Sequence, residues 1–491
     1  MSKSLKLPPR ASSLSESMRD IGYSLATAVA DIIDNSITAD ASEIDVFCDL
    51  TQESPTLAIV DNGHGMRQKE LLEAMRHGAA NPKQERSPND LGRFGLGLKT
   101  ASFSQCRQLT VASSKEGLLC GAEWDLDVVS HKDEWVLSVL DKNEVMELPY
   151  FDKLSKTGTI VVWRKLDRLF EDHSGQKRDE IVNEKLDLVE KHLSLVFHRF
   201  LSGEVKGRQK IIIRINCHPV AAFDPFCRKN KATRLLPEEI VRVDGKDVII
   251  QPYILPHHSR LTAAEYDFYE NRSSFVSFQG AYIYRNCRLM AWGDWFRLVP
   301  KGEATKLARV QIDFPNSLDE NWTIDIKKSR AHPPHAVRER FKQIIARIAE
   351  NSIRVHRGRG QKQFEEITAP VWERYADHGK VRFELNQEHP MLVVLKNSLS
   401  EKQAADLESY LHSVVSALPV EMIYSDYSTA PREFEQSSMD KSEVIERLQS
   451  LKEMMFDNIA ADKKVFRALA VSTRMFEKYQ DILDKFIEDE L

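Results

Sequence analysis

The stretch Leu91 to Ser104, LGRFGLGLKTASFS, limits the chain more than any other. Glycines at 92, 95 and 97 stand directly ahead of a segment with helical character. Successive backbone N–H groups can therefore converge on an anion near a helix N-terminus, and Lys99 adds positive charge to the same turn. The spacing is not that of a Walker A loop, which needs four residues between glycine and Gly-Lys-Ser/Thr, and no GxGxxG is present there. P-loop and dinucleotide-binding folds are thereby set aside.

Two further stretches precede it. In ADIIDNSITADAS (Ala30 to Ser42), Asp31 and Asn35 are four apart, so a helix puts a carboxylate and an amide on one face, one turn from each other. Such a pair can hold a metal and a water, although a solvated helix face often carries the same residues. In IVDNGHGM (Ile59 to Met66), an apolar, β-prone run ends in Asp61, with Gly63 and Gly65 close behind. That arrangement lets backbone approach a flat ligand while the carboxylate accepts from an N–H donor. Read alone, the same tripeptide is a hairpin turn. Taken together and in this order, the three stretches resemble the N, G1 and G2 boxes of the GHKL ATPases, the family of gyrase, heat-shock chaperones, histidine kinases and MutL. GRFGLGLKTASFS and the later QGAYIYRNCRL (Gln279 to Leu289) look closest to the MORC-like branch found in bacterial restriction and defence contexts. The resemblance covers roughly residues 13 to 335.

The resemblance implies ATP and Mg2+ as ligands. It assigns the magnesium to Asn35 and the adenine amine to Asp61, with Gly63, Gly65 and Met66 beside it. Gly92, Arg93, Phe94, Gly95, Leu96, Gly97, Lys99 and Thr100 fall on the phosphate box. Thr159, in Thr157-Gly158-Thr159, stands where the family keeps a threonine that reaches adenine through water. Asp31 occupies the position of the glutamate that orients the attacking water. It is one methylene shorter, so its carboxylate sits back by ~1.5 Å, and a misplacement of that size can cost about a hundredfold in rate. Lys327 and Lys328 follow a strand-like run where transducer domains send a lysine to the γ-phosphate, with Lys328 favoured. The family further implies a homodimer on ATP binding and association with DNA, for which the basic run Arg354 to Lys362 is the candidate contact.

The chain order predicts an α+β protein. Residues 1–12 form an arm, and 13–166 a GHKL α/β sandwich with helices on one face of a mixed, mostly antiparallel sheet. Residues 167–335 form a transducer-like α/β domain, 336–435 a helical linker with a small α/β region, and 436–491 C-terminal helices. Ser13 to Asp40 reads as one helix, capped by Ser13 or Ser15, and KIIIRINCHPVAAFDP (Lys210 to Pro225) as opening the second domain. The polar, breaker-rich segment from Gly78 to Asp90 matches the ATP lid.

With 491 residues, 42% hydrophobic and 29% charged, the chain supports several cores. Its net charge of −5 confines any DNA contact to a local patch. Six scattered cysteines and no apolar run of membrane length predict a cytoplasmic protein with reduced thiols. Against an ATP-driven clamp stand a histidine kinase, a heat-shock-type chaperone, and a non-hydrolysing ATP sensor that regulates a nuclease. Only twelve residues precede the first helix, too few for a kinase's phospho-acceptor helix. No metal-nuclease motif occurs, so DNA cleavage requires a partner nuclease or another defence-system subunit.

Overall fold

The structure is a computed structural model. It describes residues 9–49, 55–78, 90–92, 97–169, 177–256, 260–272, 275, 277–302, 305–324, 331–345, 347–348, 371–377, 380–387, 389–423, 439–456, 463–472, 476 and 479–490. The chain divides into two units, residues 1–352 and 353–491.

The first unit begins with α1 (Ala11–Arg19) and α2 (Leu25–Thr38), not with the single helix that the apolar period predicts. Gly22 adopts φ +78°, which breaks the run. Ser24 then starts α2 afresh: its hydroxyl accepts the Thr27 N–H at 3.2 Å, and the Thr27 hydroxyl accepts the Ser24 N–H at 3.1 Å. Further helices are α3 (Gln68–Met75), α4 (Gly97–Phe103), α5 (Leu126–Lys132), α6 (Lys142–Met146), α7 (Lys177–Val196) and α8 (His198–Ser202).

Eight strands build the first sheet: β1 (Glu43–Asp49), β2 (Thr56–Asp61), β3 (Gln108–Lys115), β4 (Leu118–Asp125), β5 (Ser138–Leu140), β6 (Gly158–Arg164), β7 (Ile212–Ile215) and β8 (His218–Pro219). Their order is β5-β4-β3-β6-β2-β1-β7-β8. Every pair is antiparallel except β1 with β7, where Ile44 sits beside Ile213 and Val46 beside Ile215. The sheet is thus mixed and mostly antiparallel. The segment read as opening the second domain instead extends the first sheet, because β1 has an unoccupied edge and an apolar strand can cover it.

Alternation along the strands separates two faces. Val46, Leu57, Ile59, Val111 and Val161 face a core shared with Ala28, Val29 and Ile32 of α2 and Val189 and Leu193 of α7. Phe47, Ala58, Val60, Ala112, Ile160 and Val162 face a smaller core closed by Val145 and Leu148.

The second sheet contains β9 (Arg234–Leu235), β10 (Glu239–Val243), β11 (Lys246–Ile254), β12 (Gly280–Arg285), β13 (Arg288–Asp294) and β14 (Ala308–Phe314), in the order β10-β11-β14-β12-β13 with β9 on β11. β12 and β14 run parallel. Residues 335–345 are helical, and Val337, Phe341 and Ile345 pack into the same core as Ile250, Val310 and Trp322. The helical run after 335 therefore completes this core.

In the second unit, a hairpin (Trp372–Asp377, Lys380–Leu385) precedes helices Pro390–Ser398 and Glu401–Ser416. Helices Lys441–Phe456, Lys463–Ser472 and Gln480–Glu490 share a core around Leu448, Phe466 and Leu483. Among the described residues, no helix is long and apolar enough to cross a membrane.

Candidate functional site

A cavity of about 320 Å3 opens between α2, the end of β2 and the start of α4. Ile32, Met66, Leu98, Val111 and Val161 give it apolar walls, and Asp31, Asn35, Ser36, Asp61 and Thr159 give it polar groups. Slots with this balance suit a flat ligand held by a few directed hydrogen bonds.

Asp61 ends β2 and is buried at the cavity wall. Its Oδ2 accepts from the Ser36 hydroxyl at 2.8 Å, and its Oδ1 from the backbone N–H groups of Gly63 at 2.9 Å and Thr159 at 3.2 Å. Burial raises the carboxyl above its usual range, while these three donors pull the other way. A carboxylate so held has a fixed direction, and it presents an acceptor that an exocyclic amine can use. Met66 is positioned by its N–H, which donates to the Ser113 hydroxyl at 2.8 Å. The same hydroxyl lies 3.0 Å from the Thr159 hydroxyl and 2.8 Å from the Gly158 carbonyl.

The glycines of this region are needed by the protein's own backbone. Gly65 has φ +64°, and a Cβ there would lie 2.1 Å from the Ser114 carbonyl oxygen. A Cβ on Gly158 would lie 2.1 Å from the carbonyl oxygen of Asp61. Both residues let the segment after β2 pack against β3 and β6.

Asp31 and Asn35 both line the cavity from α2, as their spacing predicts. Asp31 is 3% exposed, and its Oδ2 accepts from the Tyr23 hydroxyl at 3.0 Å; Asn35 is exposed to the opening. Gly97 begins α4 beside Asp31, so close that a Cβ on it would meet the carboxylate at 3.6 Å. Gly92 and Lys99 also line the cavity. Lys99 is 2% exposed and donates from Nζ to the Ala74 carbonyl at 2.8 Å; burial lowers its pKa to about 8, partly offset by Glu73. Thr100 is buried within α4 and does not line the cavity. Arg93, Phe94, Gly95 and Leu96, the lid from 79 to 89, Lys327 and Lys328, and the basic run 354–362 lie outside the described residues.

A magnesium ion fits the donors present. It favours one or two protein oxygens plus phosphate and water over an all-protein cage, and the cavity offers the Asn35 amide beside the Asp31 carboxylate. Among the described residues there is no cluster of three His, Cys, Asp or Glu to hold a metal unaided.

Sequence reasoning missed Tyr23, Ser36 and Ser113, which orient Asp31, Asp61 and Met66. Only Ser36 carried a local signal, since it lies next to Asn35 within the first box. It also missed two arginines of the second sheet. Arg285 donates to the carbonyls of Leu91 at 3.0 Å and Asp90 at 3.2 Å, and Arg288 pairs with Asp34 at 3.2 Å.

Residues 23–159 match the family model described as histidine kinase-, DNA gyrase B-, and HSP90-like ATPase. The ATPase morc-1 of Caenorhabditis elegans is 32% identical over 94 residues, 19% of this chain and 10% of that protein. The ATPase MORC2B of Mus musculus is 28% identical over 95 residues, 19% of this chain and 9% of that protein. The chain therefore covers about a tenth of each relative. Matched segment and described cavity coincide on α2, β2 and α4, so the part of the chain that builds the site is similar to the histidine kinase-, DNA gyrase B-, and HSP90-like ATPases and, over a shorter stretch, to two MORC ATPases.

Proposed function

We propose that the cavity binds Mg-ATP and hydrolyses it slowly, and that ATP draws two copies of the chain into a DNA-associated clamp or regulator of the restriction and defence type. The observation that carries this reading is Asp61: a buried carboxylate, aimed by Ser36, Gly63 and Thr159, at the wall of an apolar slot that also receives Asp31 and Asn35. The adenine ring lies against Met66, Val111 and Val161 and gives its amine to Asp61. The glycine box from Gly92 to Gly97, with Arg93, Phe94, Gly95, Leu96 and Lys99, surrounds the phosphates, and Thr100 supports it from within α4. Thr159 supports the base edge. Asn35 holds the magnesium ion, which when bound offsets the charge that develops on the phosphates. Asp31, directed by Tyr23, takes a proton from the attacking water. Lys328, or its neighbour Lys327, serves the γ-phosphate, and Arg354 to Lys362 serve DNA phosphates. The clamp acts in the cytoplasm, with a nuclease or another defence subunit as partner.

Calorimetry with Mg-ATP tests the site. Wild-type protein binds, and Asp61→Asn loses binding because an amide offers the adenine amine a partly mismatched partner. Unchanged affinity in that variant would remove the adenine assignment. Light scattering with and without a non-hydrolysable analogue tests assembly: a mass that does not change with nucleotide excludes the ATP-driven dimer.

A second reading, an ATP sensor that regulates a partner nuclease without turnover, is favoured by the short side chain of Asp31. Asp31→Glu separates the two. A variant that releases phosphate where the wild type releases none marks the native protein as a sensor, and a variant slower than a wild type that does turn over marks a hydrolytic pocket built around aspartate.

A further inference from the structure

The turn between β12 and β13 carries two buried arginines directly opposite each other, Arg285 and Arg288, 1% and 3% exposed. Like charges at opposed positions of a hairpin repel, and burial sharpens the repulsion. Each is therefore met by its own carboxylate. Arg285 makes a fork on Asp319, with Nε and Nη2 each 2.6 Å from an oxygen. That counterion belongs to the second sheet's own surroundings, just after β14. Arg288 finds its carboxylate in the other half of the unit: Asp34 of α2, itself 1% exposed.

What the two side chains hold is more informative than their charge balance. Arg285 points its remaining donors at the carbonyls of Asp90, Leu91 and Gly92, at 3.2, 3.0 and 3.4 Å, and Asn286 adds a contact to Asp90 at 3.4 Å. These carbonyls belong to the segment that leads into the glycine box. Arg288 holds the turn of α2 that also carries Asp31 and Asn35, since Asp34 lies between them in sequence. One hairpin of the second sheet thus grips both sides of the cavity, the phosphate side by backbone and the metal side by an ion pair. A separate joint, Arg199 of α8 on Asp313 of β14 at 2.5 Å, keeps the two sheets together away from the cavity.

We propose that the β12–β13 hairpin couples the second sheet to the nucleotide site, with Arg288 as a positioning residue for Asp31 and Asn35 through Asp34, and Arg285 as a positioning residue for the entry to the glycine box. The inference rests on the cavity being a Mg-ATP site. The coupling is reciprocal, because any ligand that shifts α2 or the Asp90–Gly92 segment must shift the hairpin, and the reverse holds equally.

Full-length Asp34→Asn, Arg288→Gln, the double variant and Arg285→Lys are compared with wild type by calorimetry. The probe is a non-hydrolysable ATP analogue, with and without magnesium, and circular dichroism confirms folding. Asp34→Asn and Arg288→Gln are each expected to lower the magnesium-dependent part of the affinity by about tenfold and to leave magnesium-free affinity unchanged. The double variant should be no worse than the more severe single one, because one contact is lost either way. Arg285→Lys should weaken the triphosphate by about tenfold with or without magnesium. Should Arg288→Gln fail to fold, Arg288→Lys takes its place, keeping the charge and losing the planar fork. Folded variants with wild-type affinities, or effects of Asp34 and Arg288 that add, overturn the coupling. If the wild type binds no nucleotide, the site fails and the coupling with it. If Asp61→Asn abolishes binding while every hairpin variant behaves as wild type, the site stands and the coupling alone fails.

Discussion

At the scale of single residues, the site is a set of short hydrogen bonds around groups that burial would otherwise penalise. Asp61 has three donors and Asp31 has Tyr23, so each carboxylate is aimed before any ligand arrives. Asp31→Asn is expected to keep nucleotide affinity and to lose hydrolysis measured by phosphate release, because an amide cannot accept the water's proton. Wild-type turnover in that variant would exclude Asp31 as the base. Gly65→Ala and Gly158→Ala are expected to destabilise by more than about 2 kcal/mol, read from denaturant midpoints, because each adds a Cβ against backbone that cannot yield. His77 is a different case. Packed against Phe103, Trp124 and Trp135, its ring nitrogens have no hydrogen-bond partner among the described residues, and burial, with the Lys99 charge, lowers its pKa to about 4. The unfolded chain binds the proton more readily, so stability falls as pH drops from about 6.5 towards 4. His77→Phe should flatten melting temperature against pH across that window; an unchanged slope would place the titrating group elsewhere.

At the scale of elements, what the sequence disclosed and what it hid divide by distance along the chain. The two lining groups on α2 were legible because four residues make one helical turn, and the end of β2 because an apolar run stops at an aspartate followed by glycines. The order of the three stretches, with their resemblance, made the α/β sandwich legible. Hidden were features whose cause lies elsewhere. The apolar period runs through Gly22, yet the chain turns there; β7 shows its partner only once β1's free edge is known; and Arg288 meets a carboxylate 254 residues away. Turns were hidden too, because residue type misleads. Asn216 and Cys217, with φ +45° and +69°, form the tight turn between β7 and β8, a geometry that asks for Asn-Gly. Cys217 is exposed, so Cys217→Gly is expected to stabilise by about 0.5–1 kcal/mol in chemical denaturation, as the side chain's left-handed strain is relieved. A loss of stability would mean that the thiol contributes packing.

For the whole molecule, the decisive feature is the parallel pairing of β1 with β7. A fragment ending at residue 166 omits that strand together with Val182, Val189 and Leu193 of α7, which share the main core. It should aggregate in size-exclusion chromatography, whereas residues 1–352 should elute as a folded species with a cooperative melt. A monomeric, cooperatively melting 1–166 fragment would contradict this. The same pairing sets a timetable for the nascent chain. Although every residue that lines the cavity has been made once Val161 leaves the ribosome, β1 still lacks its last neighbour until Ile215 emerges, some fifty residues later. At a synthesis rate of about 5–20 residues per second, that interval lasts roughly 3–11 seconds, during which one edge of a nearly finished sheet is open to other chains.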